Sequence, residues 1–403
     1  MEKAVIIDAI RTPIGRYGGA LKDVRPDDLA AIVMKELINR NDFPVEELED
    51  VYVGCANQSG EDNRNVARMA TLLAELPLSV GGVTVNRLCG SSLEAVNQAA
   101  KSIMCGEGDI FIAGGTESMT RAPFVTAKQT KPFQRSVEIY DTTIGWRFVN
   151  DKLAEKHYPY SMIETADNVA KKYDISRDSQ DEFAYNSQQR AKAAMESGRM
   201  QEEIVPVEVK RKKETIVVDQ DEHPRPNTSL EKLQSLRTVN QGGTVTAGNA
   251  SGVNDGAAAL LIMSESKAKE LGLSPIASIE SFAVSGVDPA IMGVGPVPAT
   301  KKAIQRANLS IEDIGLVELN EAFAAQSLAC INELSLDMDK VNVNGGSIAY
   351  GHPLGASGAR ILTTLLYEME RREVEFGLAT MCIGVGQGIA TVARRCVGLG
   401  NKG

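Results

Sequence analysis

The order of strand-like and helix-like runs in the first third of this chain returns in its last third, and this repetition limits the fold more than any other feature. Residues 27–40 (DDLAAIVMKELINR) place apolar side chains at helical spacing, and residues 51–53 follow as a short strand. Residues 82–88 predict a strand reaching a turn at Cys89. Leu93, Val96, Ala99, Ala100 and Ile103 form a helical stripe, and residues 110–113 predict a strand running into Gly114 and Gly115. In the last third the same reading predicts a helix over 299–306 and strands over 316–319 and 341–343. The second of these strands leads into a glycine-rich turn around His352, followed by a helix over 359–371 and a strand over 378–382. The local text matches as well: VEELEDVYVG resembles IEDIGLVELN, and Val45 precedes Cys89 by nearly the same span as Ile311 precedes His352. Such self-similarity marks an internal duplication. Strand–helix alternation within each copy predicts a mostly parallel sheet with helices on both faces. Reactive groups then gather where strands end, so a pseudo-twofold arrangement brings Cys89 and His352 face to face.

Residues 119–249 break the pattern. They are richer in charge and hold the basic run Lys210-Arg211-Lys212-Lys213, the turn-like DEHPRPN and two helix-like stretches, 165–173 and 179–196. An insertion of this length suits the covering of a ligand. The basic run is expected to be a solvated strand edge.

A length of 403 residues implies two or three domains. With 43% apolar and 24% charged residues the chain is globular and soluble in type; 5% aromatics against 36 glycines means that small residues do much of the packing. A net charge of −10 argues against a general nucleic-acid or membrane surface while leaving room for a local basic pocket. No apolar run approaches the roughly 18 residues of a membrane span. The opening AVIIDAI-RTP predicts a strand and turn rather than a signal peptide, and the closing GLGNKG carries no recognisable targeting signal, so a cytoplasmic location is expected. The six cysteines (55, 89, 105, 330, 382 and 396) form no C-x-x-C pair, so neither a metal site nor a disulfide framework is expected. No G-x-G-x-x-G follows the first strand, which argues against a dinucleotide-dependent dehydrogenase.

Four side chains carry the chemistry. Cys89, in VNRLCGSSLEAV, lies where a strand ends and a helix begins. Free N–H groups and the positive helix end there are expected to lower its pKa and to hold a developing oxyanion. A buried structural cysteine fits the same context. His352, in GGSIAYGHPLGASGAR, is ringed by glycines and suits a base working near neutral pH; a structural turn histidine is the competing reading. The other histidines, His157 and His223, lie in the insertion in polar settings without this frame. Cys382 (TMCIGVGQG) and Asn320 (ELNEAFAAQ) also sit at strand ends, supplying a second thiol and an amide donor. Their shared placement in two matched halves makes the set stronger than any member.

Together, VNRLCGSS, TAGNASGVNDGAA, LNEAFAAQ, NGGSIAYGHPLGASGAR and CIGVGQG resemble the successive signature blocks of the thiolase family, and the likeness runs from IIDAIRTPIGRYGG to CIGVGQG. The resemblance implies an α/β protein with the duplicated thiolase fold: two similar α/β halves packed as five layers (αβαβα) plus an inserted loop domain. The implied divisions are 1–118 with 250–271, 119–249, and 272–403. It implies CoA and acyl-CoA thioesters as partners, CoA being a substrate and no cofactor being tightly bound, and a homodimer or homotetramer. Carried over, Cys89 becomes the acylated nucleophile, His352 its activator, and Cys382 the acid and base at the α-carbon. Asn320 holds a water and forms one oxyanion site with His352; the N–H groups of Cys89 and Gly384 form the other. Ser251 matches a contact to the pantetheine arm, Arg225 a residue near the adenosine end, and Met162 a pocket residue. Two positions depart from the pattern: Ser161 where other members carry histidine, and Val385 where the last block has glycine.

A decarboxylating ketoacyl synthase shares the fold class but lacks the second reactive cysteine. A non-catalytic CoA- or lipid-binding protein would be expected to have lost one of the four groups. The resemblance therefore implies thiolysis of 3-oxoacyl-CoA. A degradative enzyme with preference rising along chain length is expected, with acetoacetyl-CoA and 3-oxoadipyl-CoA as alternatives.

Overall fold

Side chains alternate across the strands, and this alternation sorts the molecule into layers. The computed structural model describes residues 2–396; the closing GLGNKG, expected to be free of targeting signals, lies outside them. Nine strands form one hydrogen-bonded path: β1 (Ala4–Arg11), β2 (Asp50–Gly54), β3 (Val83–Val85), β4 (Ile110–Ser118), β5 (Asn254–Ser264), β6 (Ala277–Gly286), β7 (Leu316–Leu319), β8 (Phe376–Ile383) and β9 (Gln387–Arg395). The order is β7-β8-β9-β6-β1-β5-β4-β2-β3. At its middle, β1 and β6 pair only through Val5 with Ser278 and Ile6 with Ala277, so the path is two sheets sharing a narrow seam.

The helices that build the layers are α1 (Pro26–Arg40), α2 (Val66–Leu73), α3 (Ser91–Cys105), α4 (Met162–Lys172), α5 (Arg177–Glu196), α6 (Pro296–Arg306), α7 (Ala324–Leu334) and α8 (Ser357–Arg371). Along β5, Ala257, Ala259, Leu261 and Met263 pack with α1 and α2. Ala258, Leu260 and Ile262 point the other way, onto α3 and α8. In the second sheet Leu378, Ala390 and Val392 cluster with α6 and α7, while Met381, Ile383, Ile389 and Ala393 face α3 and α8. The result is the expected helix–sheet–helix–sheet–helix stack. Its central layer takes one helix from each half. Gly358 allows their approach: a Cβ there would lie 2.6 Å from the Leu93 Cβ. The Ala359 N–H donates to Ser92 Oγ at 2.8 Å across the same contact.

Two expectations are overturned. The sheets are mixed rather than mostly parallel: among the described residues only β2–β3, β2–β4 and β7–β8 run parallel. The antiparallel pairs come from β5, which returns after the insertion to lie between β1 and β4, from β6, which pairs with β1 and β9, and from the β8–β9 hairpin, none of which strand–helix alternation reveals. Residues 341–343 make a single bridge, Val341 with Val317, instead of a strand. Asn342 has φ +47°, and its side chain replaces the ladder by accepting from the Leu319 N–H and donating to the Leu319 carbonyl, at 2.9 and 2.8 Å.

The insertion carries α4, α5 and the hairpin Val207–Lys210/Thr215–Val218, whose exposed end holds the basic run. It is stitched to β1 by buried Arg11, which pairs with Glu203 at 2.5 Å and, in bidentate fashion, with Asp221 at 2.7 and 2.9 Å. Among the described residues no helix is long and apolar enough to cross a membrane.

Candidate active site

The Cys89 turn is built by its neighbours. Asn86 Oδ1 accepts from the Leu88 N–H at 2.9 Å. Ser91 Oγ accepts from the Arg87 N–H and donates to the Leu88 carbonyl, at 2.9 and 2.6 Å. These bonds hold Leu88 at φ +46°, a conformation that costs a non-glycine residue about 1–2 kcal/mol. Cys89 is thereby raised just ahead of α3. Gly90 lets the turn settle on the other half, since a Cβ there would lie 2.6 Å from Ile383 Cδ1. The backbone N–H of Gly384 and that of Cys89 itself face the sulfur and favour the thiolate. Burial nevertheless dominates and, with the Glu117 carboxylate adding to it, pushes the thiol up to about 11. The expected fall in pKa is therefore overturned, because desolvation outweighs the helix end.

His352 belongs to an oriented chain of buried groups. Ser357 Oγ donates to the Pro353 carbonyl at 2.8 Å, so the 2.6 Å contact between Ser357 Oγ and His352 Nδ1 must be donated by the ring. That assigns the proton to Nδ1 and leaves the Nε2 lone pair free. Asn320 Nδ2 approaches Nε2 at 3.5 Å. The amide is oriented by Ser347 Oγ, which donates to Asn320 Oδ1 at 2.6 Å and accepts from Arg360 Nη2 at 2.6 Å. Burial, aided by the Arg360 charge, lowers the His352 pKa to about 3, so the ring is neutral. Asn254 Oδ1 accepts the His352 backbone N–H at 3.0 Å and Asn254 Nδ2 meets His223 Nδ1 at 3.2 Å. His223, expected in an isolated polar setting, is thus packed behind the His352 turn, and burial lowers its pKa to about 4.

Cys382 is buried in β8 beside Met292, Ala322 and Phe323, with Met162 packed against the group. Burial, with nearby Cys89 adding to it, raises its pKa well above the ordinary thiol range. Asn320 follows β7, its N–H donating to the Thr380 carbonyl at 3.0 Å.

A cavity of about 360 Å³ opens onto Cys89, and Met162, Gly384 and Val385 line it together with Leu88, Glu117, Arg147 and Leu354. His352, Asn320 and Cys382 are buried and do not line it. Val385 has φ +64° and is 42% exposed, so the departure from glycine leaves a β-branched residue in the left-handed region, at about 1–3 kcal/mol. Ser161 caps α4 through a reciprocal pair with Glu164. Arg225 lies elsewhere, in a second cavity of about 310 Å³ shared with Arg16, His223 and Lys232. Ser251 donates its N–H to the Ala322 carbonyl at 3.0 Å, next to the Cys382 cluster. Sequence reasoning missed Glu117, Arg147, Ser347, Ser357 and Arg360, none of which stands in a motif that marks it. Glu117 is buried, takes N–H bonds from Ala56, Asn57 and Gly355, and is raised to about 7 by burial. Its ligand atoms, with those of Cys55 and Asp62, fall within 4.8 Å of one another, but the backbone already occupies the carboxylate.

The family model of the thiolase N-terminal domain matches residues 4–266, and that of the thiolase C-terminal domain matches residues 273–395. A beta-ketoadipyl-CoA thiolase of Escherichia coli is 57% identical over 98% of this chain and 100% of its own length. A 3-oxoadipyl-CoA/3-oxo-5,6-dehydrosuberyl-CoA thiolase of Escherichia coli K12 is 57% identical with the same coverage. Among solved structures, the Bacillus anthracis acetyl-CoA acetyltransferase superposes with a TM-score of 0.93 at 42% identity, covering 98% of this chain and 99% of that one. Human mitochondrial 3-ketoacyl-CoA thiolase gives 0.92 at 42% identity with the same coverage.

Proposed function

The chain belongs to the thiolase family, and from that premise we propose that its substrate is a 3-oxoacyl-CoA whose acyl chain ends in a carboxylate, of the 3-oxoadipyl class. It is an acyltransferase that cleaves 3-oxoacyl-CoA with CoA. The Cys89 sulfur attacks the 3-oxo carbon while His352 Nε2 takes its proton. The oxyanion is met by the Cys89 and Gly384 N–H groups. The C2–C3 bond then breaks, and its electrons pass into an acetyl-CoA enolate held by Asn320 and the protonated His352. Cys382, a thiol at rest, donates the proton that completes acetyl-CoA. The resulting thiolate deprotonates incoming CoA, whose sulfur attacks the acyl-Cys89 thioester. Cys89 leaves and recovers its proton from His352. A neutral imidazole at His352 and a protonated thiol at Cys89 support this order, because proton transfer then accompanies attack.

Arg225, with Arg16 and Lys232, offers the basic ground for the nucleotide of CoA in an otherwise acidic chain, and Ser251, next to the Cys382 cluster, is assigned the contact to the pantetheine arm. The edge strand β3, with exposed Val83 beside exposed Leu72, Leu73 and Leu78, supports a homodimer or homotetramer, since such an edge is normally covered.

The observation that carries the substrate is the match, along their whole length, to two relatives named for the 3-oxoadipyl chain. Comparing kcat/KM for thiolysis of 3-oxoadipyl-CoA, acetoacetyl-CoA, 3-oxohexanoyl-CoA and 3-oxodecanoyl-CoA tests it. The dicarboxylic substrate is expected to lead, and omission of CoA should leave the succinyl group on Cys89 by mass spectrometry. A lead for acetoacetyl-CoA, or a steady rise with apolar chain length, would overturn the assignment.

A further inference from the structure

The wall of the Cys89 cavity is mostly apolar, and it contains one guanidinium. Arg147 lies in DTTIGWRF, a stretch of the insertion that also contributes Thr142, Thr143, Ile144, Gly145 and Trp146 to the cavity. Its side chain makes one long hydrogen bond, from Nη2 to Ser59 Oγ at 3.5 Å. Among the described residues no carboxylate lies within salt-bridge distance of it, whereas most buried and half-buried arginines here have one, as with Arg11, Arg121 and Arg177. A half-buried cation without a counter-charge is costly unless a ligand supplies the anion.

The other polar groups of the cavity are already engaged. Asn57 Nδ2 donates to the Thr142 carbonyl and hydroxyl at 3.0 and 3.3 Å. Trp146 Nε1 donates to the Tyr160 carbonyl at 3.0 Å. Glu117 is held by three backbone N–H groups, which leaves it without a donor for an anion. A chain bound covalently to Cys89 therefore finds mostly apolar walls and one guanidinium without a counter-charge in the same cavity. Ser59 and Asn57, which support the Arg147 side of the wall, come from CANQSG, the loop that follows β2.

We propose that Arg147 is the specificity residue that binds the terminal carboxylate of a dicarboxylic 3-oxoacyl chain while Cys89 attacks the 3-oxo carbon. This rests on the substrate reading above and names the group that enforces it. The interaction is made through donors in a fork that matches a carboxylate, so lysine is a poor substitute.

The test compares two substrates of equal chain length, 3-oxoadipyl-CoA and 3-oxohexanoyl-CoA, on the full-length enzyme. Arg147→Ala should lower kcat/KM for the dicarboxylic substrate by roughly 10- to 100-fold and change the monocarboxylic one by less than about threefold. Arg147→Lys should fall between. In the unaltered enzyme, replacing the terminal carboxylate of the substrate by its amide should bring a comparable loss, and this arm does not depend on any variant folding. Equal losses on both substrates would place Arg147 in CoA binding or in the structure of the wall and overturn the proposal. An amide substrate as good as the acid would also overturn it. If the unaltered enzyme shows no preference for 3-oxoadipyl-CoA over 3-oxohexanoyl-CoA, the substrate reading fails instead, a separate outcome read from a separate measurement.

Discussion

At Cys89 two influences of opposite sign meet, and their sizes decide the outcome. A helix amino end contributes about 0.3–1 kcal/mol, less than one pKa unit, whereas burial of a thiol shifts it by up to about 3–5 units. Burial therefore wins, and the Cys89 thiol is pushed up to about 11. Inactivation of the free enzyme by iodoacetamide should accelerate about tenfold per pH unit from about pH 7 towards pH 10, with mass mapping to Cys89. A plateau by about pH 8 would mean that the resting site already holds the thiolate. The strand-to-helix setting of Cys89 was legible in its flanking residues, because turn chemistry is local. Its half-buried setting was not, since Ile383, Glu117 and Gly384 arrive from remote parts of the chain.

Helix α8 acts on the site through its first residues. Ser357 fixes the tautomer of His352, and Arg360, one turn further on, orients Ser347 and through it Asn320. Removing the acceptor at position 357 frees the ring to place its proton on either nitrogen. Ser357→Ala should lower kcat by roughly 10- to 100-fold with little change in KM, and Ser357→Thr should restore most of the loss. An unchanged kcat in Ser357→Ala would show that the tautomer is set by another group. The glycine frame of His352 announced a special turn, and Asn320 stood visibly at a strand end. Nothing in the sequence marked Ser357 as the partner of His352, because that role depends on which groups the hydroxyl meets after folding. Asn342 taught the same lesson in the sheet: a strand-like VNV run lost its ladder to an amide side chain.

Across the whole molecule, periodicity carried the helices and the layer order, while strand direction escaped it. Pairing sense depends on where a chain returns, and the return of β5 after the insertion leaves no periodic trace. The tie between insertion and core was equally hidden, since Arg11, Glu203 and Asp221 are far apart in sequence. Arg11→Met leaves two buried carboxylates without their cation and should cost about 3–5 kcal/mol, seen as a lower thermal midpoint. Adding Glu203→Gln and Asp221→Asn should recover a large part of it; a midpoint unmoved by Arg11→Met alone would show that the network contributes nothing. The central layer has a further consequence, in time rather than in energy. Because α3 and α8 come from opposite halves of the chain, the turns of Cys89 and His352 that precede them are assembled only after a very long loop has closed, and such contacts form late. During refolding, helical signal should return first and catalysis last, so that the lag between them clocks the docking of the two halves.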